Sequence, residues 1–284
     1  MRPSPTQTLR LSLILLALPL ALAACNRDGD EPAPAEVATE TGAPALETPA
    51  ASPSNLSFAD KTEHATVSLT LPEGIKAEPD LHARTYAEEV RNLRQFEEGA
   101  LAARTEAEGD EGMPPFEKTV TVTVAGQTGR LFSLRREAFD YSGGAHPNTL
   151  TTGIVWDRSL KRVIGAPELF RKGADLTALD QALCTAVNAA RRARVPDART
   201  ITLGGRDGWA CPRAAETPFV LAPGDQAGKA GGLIFLIGPY QVGPGAEGGY
   251  EIAIPQTAFK SMVATAYAGE FAGQPRRTGD VTPR

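Results

Sequence analysis

A strict alternation of threonine and valine over residues 119–124 is the strongest structural signal in the sequence. Side chains of a β-strand point alternately to the two faces of a sheet, so one face of this segment is apolar and the other is polar. A second extended run, residues 130–141, follows a loop over residues 125–129 with two glycines, which suits a hairpin. A third run, residues 149–157, follows the next glycine-containing turn. Together the three runs predict an antiparallel meander.

Two longer segments have helical periodicity. Residues 80–108 place apolar side chains along one face and charges on the others. A second apolar stripe is formed by Leu176, Leu179, Leu183, Val187 and Ala190. Short apolar runs at 65–71, 219–221, 233–237 and 250–254 predict further strands. Because a regular alternation of strand and helix is missing, we expect an α+β fold made of one or more antiparallel sheets and two main amphipathic helices.

The first 24 residues are typical of a lipoprotein signal peptide. The apolar run 11–22 follows Arg10 and is shorter than the roughly 20 residues that a membrane-spanning helix needs. Leu22-Ala23-Ala24-Cys25 resembles the bacterial lipobox, in which the cysteine is diacylated and becomes the new N-terminus. The alternative is an ordinary secretory signal peptide with an incidental cysteine.

Lipidation of Cys25 predicts a protein that is anchored to a membrane without crossing it. Asn26 stands where an aspartate is the usual inner-membrane retention signal, so in a Gram-negative host we expect the outer membrane, facing the periplasm. Residues 25–55 are rich in Ala, Pro and Glu and have no apolar periodicity, which predicts a disordered tether between the lipid and a folded part.

Cys184 and Cys211 remain as a pair once Cys25 is lipidated. Disulfides persist in the oxidising envelope, so we predict a bridge between them. Two separate buried thiols are the alternative.

Charge and composition exclude several classes of protein. The net charge of −5 argues against a nucleic-acid partner, and three histidines provide little material for a metal site. The run Gly243–Gly248 fits the dinucleotide pattern G-x-G-x-x-G, but it leads into a predicted strand instead of the required helix, so we expect no nucleotide. We therefore predict neither a metal nor a cofactor.

Catalytic motifs are not evident. The sequence has no G-x-S-x-G elbow and no H-E-x-x-H helix, and its histidines are His64, His82 and His146. We therefore assign no catalytic residue and expect no enzymatic activity. The competing hypothesis is an envelope hydrolase acting on glycan or peptide, in which His146 would join an acid from a distant segment.

Three stretches together resemble a known domain family. They are Tyr141–His146, with the pattern Y-x-G-G-A-H, the run from Asp157 to Leu169-Phe170, and Pro239–Gly248, with the pattern P-Y-x-x-x-P followed by A-x-G. They are similar to the extracytoplasmic domain of RsiV-type anti-sigma factors and of some polysaccharide-deacetylase (PdaC-like) proteins, DUF3298, which often follows a smaller strand–helix region, DUF4163. The resemblance implies a DUF4163-like region over 56–115, a DUF3298-like domain over 116–265 and a flexible tail over 266–284.

The resemblance implies a non-catalytic binding module, since the domain binds lysozyme in the anti-sigma factors. The expected partners are lysozyme, peptidoglycan or another envelope protein. Glycine-rich loops on a rigid sheet are common recognition sites. The candidate binding surface therefore consists of Tyr141, Gly143, Gly144, His146, Tyr240, Glu247 and Tyr250. The alternative is that these glycines only form tight turns.

Overall fold

The computed structural model describes residues 55–106, 114–205 and 208–283, all within the compact unit Pro49–Arg284. The described part has two sheets of mainly antiparallel strands with helices beside them, which confirms the predicted α+β fold. The signal peptide, Cys25 and the tether lie outside the described residues. The strands are β1 (Ser57–Lys61), β2 (Ala65–Thr70), β3 (Phe116–Gln127), β4 (Leu131–Tyr141), β5 (Asn148–Asp157), β6 (Arg162–Ile164), β7 (Phe219–Pro223), β8 (Ala230–Ile237), β9 (Tyr250–Pro255) and β10 (Gly279–Asp280). The helices are α1 (Pro79–Glu106), α2 (Ala166–Leu169), α3 (Thr177–Arg194) and α4 (Thr265–Ala268).

The first sheet has the strand order β1-β2-β3-β4-β5-β6. Its centre is the predicted antiparallel meander, in which Val120 is opposite Ala138 and Ala138 is opposite Leu150. One pairing was not predicted, because β2 and β3 run parallel. A parallel pair needs a crossover of about a dozen residues or more, and the 28-residue α1 provides it.

Helix α1 covers one face of this sheet. Leu81 packs in one cluster with Val120 and Val122, two of the three valines of the alternating segment. A buried ion pair adds to this contact, because Arg136 of β4 donates from Nε and Nη2 to Glu89 of α1 at 2.5 and 2.9 Å. Leu93 is buried, as the amphipathic pattern predicts, but the pattern is wrong for Glu89, which faces the sheet, and for Leu101, which is 51% exposed.

The second sheet has the order β10-β9-β8-β7, and α3 packs against it. Leu183 and Val187 of α3 join the same buried cluster as Ile252 of β9. Cys184 on α3 is bonded to Cys211 in the segment that follows the helix, which confirms the predicted disulfide.

The outer edge of β7 lies on the face of the first sheet opposite α1. Leu221 N donates to the buried Ser133 Oγ at 3.1 Å, so a backbone group on this edge is satisfied by the first sheet. Gly126 and Gly153 allow this close approach. A Cβ at Gly126 would lie 2.9 Å from the Leu221 oxygen, and a Cβ at Gly153 would lie 2.1 Å from the Phe219 oxygen. The lack of a side chain at both positions therefore sets how closely the sheets pack.

The predicted flexible tail over 266–284 is wrong for the part that the structure describes, which extends to Pro283. Phe271 is fully buried, with its ring centroid 5.4 Å from that of Phe259. Strand β10 pairs with β9, and Arg194 Nη2 lies 2.8 Å from Asp280 Oδ2. The apolar anchors of this segment are isolated residues, so no periodicity revealed them.

The predicted division between 56–115 and 116–265 falls between two paired strands. Ala65 of β2 is opposite Phe116 of β3, and α1 packs on both strands. The two regions therefore share one sheet, and their separation into two domains stays a prediction.

Candidate functional site

A groove of about 470 Å³ lies between β4 and β5 of the first sheet and one end of the second sheet. We call it the inter-sheet groove. Its walls come from three parts of the chain that are distant in sequence: the β4–β5 hairpin, the loops on either side of residues 240–247, and the C-terminal segment. The lining residues are Arg135, Glu137, Thr149, Thr151, Ile237, Gly238, Pro239, Gly248, Gly249, Tyr250, Glu251, Thr282 and Pro283.

Three charged side chains meet in this groove. Arg135 Nε lies 2.5 Å from Glu251 Oε1, and its Nη2 lies 2.8 Å from Glu137 Oε2. Arg135 and Glu137 are two residues apart on β4 and so share a face, whereas Glu251 comes from β9. One cation against two carboxylates leaves an excess of one negative charge.

The electrostatics of the three groups differ with their exposure. Burial on its own lowers the pKa of Arg135, but the hydrogen bonds to Glu137 and Glu251 outweigh it and raise that pKa. The Glu137 side chain is 41% exposed and that of Glu251 only 10%. Glu137 is therefore the carboxylate that a ligand in the groove meets first.

Glu247 and Tyr250, both predicted surface residues, point into the protein instead. Arg191 donates to the Glu247 carboxylate from Nε and Nη2, both at 2.9 Å, and Tyr250 Oη donates to it at 2.7 Å. The Glu247 side chain is 6% exposed, and Tyr250 is 1% exposed. A cation from α3 therefore holds both side chains inward, and Tyr250 still contributes to the groove lining. The role of the two residues in binding stays a prediction.

This buried cluster shifts the pKa values of its members. The hydrogen bond from Arg191 is the main reason why the pKa of Glu247 lies below its usual value. Burial, followed by the hydrogen bond to Glu247, raises the pKa of Tyr250. At neutral pH the Glu247 carboxylate is charged and the Tyr250 phenol keeps its proton. The phenol can therefore donate the observed hydrogen bond and the carboxylate can accept it.

Arg194 fixes the backbone of the groove wall. Its guanidinium carbon lies 3.8 Å from the centroid of the Tyr250 ring, and Nη1 donates to the carbonyl oxygens of Glu247 and Gly249 at 2.9 and 2.7 Å. Nε and Nη2 donate to Asp280 of β10 at 3.0 and 2.8 Å. The wall at residues 248–250 is thus held from behind by α3 and β10.

Tyr240 is the exposed member of the predicted surface. It is 65% exposed and has a φ of +65°, a conformation that non-glycine residues rarely adopt and that is found preferentially at functional sites. A Cβ at Gly245 would lie 2.2 Å from the Tyr240 ring, so the ring packs directly over that glycine. Tyr240 follows Pro239, which lines the groove, but is not itself among the lining residues.

The run Gly243–Gly248 contains a single 3-10 turn, Gly245–Glu247, and continues into β9. A dinucleotide fingerprint requires a helix at this point, so the expected mismatch with that pattern is confirmed.

The predicted turn at residues 141–147 caps the β4–β5 hairpin. Gly143 and Gly144 have φ values of +88° and +89°, so both need the freedom of glycine. Tyr141 is half-buried and donates from Oη to the Gly144 oxygen at 3.4 Å, whereas His146 is exposed. The turn is an extension of the strands that line the groove, but among the described residues its own side chains do not line it.

The histidines lie in separate places. His82 is buried in α1, with Nε2 2.7 Å from the Asn55 oxygen, and His64 Nε2 lies 3.0 Å from Glu63 Oε1. Across residues 55–106, 114–205 and 208–283, no three His, Cys, Asp or Glu side chains are grouped so that they could hold a metal ion.

Sequence reasoning missed the charged centre of the groove. Arg135 interrupts the apolar character of β4, which begins with four buried residues, Leu131–Leu134. A charged residue on a mostly buried strand is a usable signal, because it needs a partner. Its partner Glu251 is 116 residues away, and no local pattern connects the two.

In the described part of the chain, no helix has both the length and the apolar character needed to cross a membrane.

Comparisons with known proteins add evidence on the fold. Neither the protein-family models nor the curated proteins include a match to this chain. Among solved structures, a DUF3298 family protein from Pseudomonas aeruginosa PAO1 is 19% identical, with a TM-score of 0.51 over 77% of this chain and 94% of its own. A member of the same family from Bacteroides fragilis NCTC 9343 is also 19% identical, with a TM-score of 0.48 over 75% of this chain and 95% of its own. The match to the Pseudomonas aeruginosa protein supports, at the level of the fold, the resemblance to DUF3298 that the sequence motifs predicted.

Proposed function

We propose that this protein is a non-catalytic ligand-binding module that a lipid on Cys25 holds at the cell envelope, and that the inter-sheet groove is its binding surface. The observation that carries the proposal is the meeting of Arg135, Glu137 and Glu251 from two sheets in an open groove. Charged groups held on rigid strands beside apolar walls suit the recognition of a protein or a cell-wall ligand.

The pairing of the two carboxylates favours binding over hydrolysis. A general acid or base must be able to reach the proton that it transfers. Glu137 and Glu251 are instead both held by hydrogen bonds from the Arg135 guanidinium. His146, the residue on which the hydrolase hypothesis depends, is on the exposed turn outside the groove lining.

The location follows from the sequence. The lipobox at Leu22–Cys25 predicts the lipid anchor, and Asn26 favours the outer membrane, facing the periplasm of a Gram-negative host. Lysozyme and peptidoglycan are the ligands that the family resemblance and this location suggest.

Retention assays on the full-length chain test the proposal. The chain, in neutral detergent at micromolar concentration, is mixed with purified peptidoglycan sacculi in one arm and with immobilised lysozyme in the other. The groove variant Glu137→Arg removes the most accessible negative charge, and Glu216→Arg makes the same change on an exposed residue outside the groove.

We expect one of the two ligands to be retained, with at least a tenfold loss for Glu137→Arg and no change for Glu216→Arg. If wild-type protein retains neither ligand, or if both variants behave like wild type, the groove is not the binding surface for these ligands. Turnover of either ligand that disappears in His146→Ala would replace the binding module with the hydrolase.

A further inference from the structure

Within the described part of the chain, strand β5 has an unpaired edge next to the inter-sheet groove. It pairs with β4 along its whole length, from Asn148 to Asp157. On its other side, β6 is the neighbouring strand among the described residues, and it reaches only Val155–Asp157. Alternate residues of an antiparallel strand direct both backbone groups to the same side, so about half of residues 148–154 direct their N–H and C=O groups away from β4.

This edge lacks the protection that other edges of the molecule have. Proteins usually protect edge strands with charges, prolines, bulges or a covering element. Strand β1, at the opposite end of the first sheet, has Asp60 and Lys61, and the edge of β7 lies against Ser133. Residues 148–154 contain neither a charge nor a proline, and Leu150 is 46% exposed.

The two faces of the open edge offer different chemistry. Thr149 and Thr151 face the inter-sheet groove, where Glu137 is the exposed carboxylate. Thr152 and Ile154 face the other way, into a pocket of about 350 Å³ between β5 and α1.

The second pocket has no excess charge and has an apolar part. Leu81 of α1 and Val163 of β6 form that part together with Ile154. The rest of the lining is polar, with two charges of each sign: Arg84, Arg136, Glu88, Glu89, Thr85, Asn92 and Thr152. A strand added to β5 would therefore place one set of side chains near an excess negative charge and the alternate set beside a pocket that is neutral and partly apolar.

We propose that the free edge of β5, residues 148–154, receives an extended polypeptide strand that alternates basic and apolar side chains. The proposal rests on the proposed function, and it identifies the ligand class as a peptide segment. In this mode of recognition, main-chain hydrogen bonds provide affinity, and the pockets for alternate side chains provide specificity. A second copy of β5 fits the site less well, because residues 148–154 contain no basic side chain to meet Glu137.

Fluorescence anisotropy with a designed peptide tests this inference. The probe is a labelled peptide of about eight residues that alternates valine and lysine, a length typical of a strand. It is titrated with the full-length chain in neutral detergent. One control peptide has glutamate in place of lysine, and another is N-methylated at every residue and so has no main-chain donors.

Two protein variants accompany the peptides. Thr151→Lys places a cation opposite Glu137, its partner in β4, and fills the groove side of the edge. Ala59→Lys makes a matched change on the exposed edge strand β1. We expect micromolar binding of the valine–lysine peptide, at least tenfold weaker binding for Thr151→Lys and for the glutamate peptide, no binding of the N-methylated peptide, and no effect of Ala59→Lys.

Equal binding of the N-methylated peptide, or equal binding by Thr151→Lys and wild type, would overturn strand addition. If the valine–lysine peptide does not bind while peptidoglycan or lysozyme is still retained, the inference fails and the proposed function stands. If none of the three is bound, both fail. A concentration-dependent dimer that Thr151→Lys abolishes would make the occupant a second copy and overturn the peptide assignment.

Discussion

Removing the cation from the buried Arg191–Glu247 pair provides a stringent test of the structure. Arg191→Met keeps most of the side-chain length but leaves the Glu247 carboxylate, 6% exposed, with only the Tyr250 hydroxyl as a side-chain donor at 2.7 Å. Breaking a buried pair on one side costs about 3–5 kcal/mol, because a charge is left without compensation. We expect a loss of that size in the free energy of unfolding.

The pH dependence provides a second signature. In the wild type the folded-state pKa of Glu247 is lowered, so its contribution is complete above the unfolded value, near 4.5, and is lost as the pH falls through the folded value. In Arg191→Met the buried, unpaired carboxyl has a raised pKa and takes up a proton more readily on folding. The stability deficit of the variant therefore shrinks as the pH is lowered from about 7 to about 4.

Urea unfolding followed by circular dichroism measures both effects. The double variant Arg191→Met/Glu247→Gln is expected to lose less than the sum of the two single losses, with a coupling of about 2 kcal/mol. Lys76→Met breaks the exposed Lys76–Glu73 pair and is expected to cost less than about 1 kcal/mol. A loss for Arg191→Met as small as that of Lys76→Met, with no change in pH dependence, would refute the buried pair.

Three further predictions concern the disulfide, a second buried carboxylate and the N-terminus. Replacing Cys184 and Cys211 together by alanine opens a loop of 27 residues and is expected to lower the free energy of unfolding by about 3–4 kcal/mol. Added reductant should cause no further loss in this variant. Equal stability of variant and wild type would contradict the prediction. Burial raises the pKa of Asp157, but hydrogen bonds, first of all from Arg130, outweigh this effect and lower that pKa. Asp157→Asn is therefore expected to destabilise the protein at neutral pH and to match wild type once the pH has fallen below the folded pKa. A difference in urea midpoints that does not change with pH would speak against this. Cells given an alkyne-tagged fatty acid are expected to label the wild-type chain and not Cys25→Ser, and labelling of both would disprove lipidation at this residue.

Much of the fold was predictable because its signals are local. The Thr-Val alternation over 119–124 and the glycine turns determine the meander, and helical periodicity locates α1 and α3. The parallel pairing of β2 and β3 was missed, since it depends on how a long helix returns the chain to the sheet. The packing of the C-terminal segment was missed as well, because Phe271 is a single buried residue in a polar stretch.

The site was less predictable than the fold, because its key partners are far apart in sequence. The segment from Tyr240 to Tyr250 was predicted as part of a binding surface, and its last three residues line the groove. Glu247 was assigned to the same surface, but its partner, Arg191, is 56 residues away and holds it inside the protein. Whether a charged residue is exposed depends on such distant partners, and one sequence contains no record of them. The charged residues of the groove also have partners that are distant in sequence, since Arg135 of the first sheet pairs with Glu251 of the second.

The packing of the C-terminal segment affects recombinant work on this protein. The sequence alone would end the folded part at residue 265. A protein truncated there would lack Phe271, whose ring packs against that of Phe259. It would also uncover the hydrogen-bonding side of β9 and leave the guanidinium of Arg194 without Asp280. Because an uncovered strand edge promotes aggregation, such a shortened product is expected to be less stable and less soluble than the chain through Pro283.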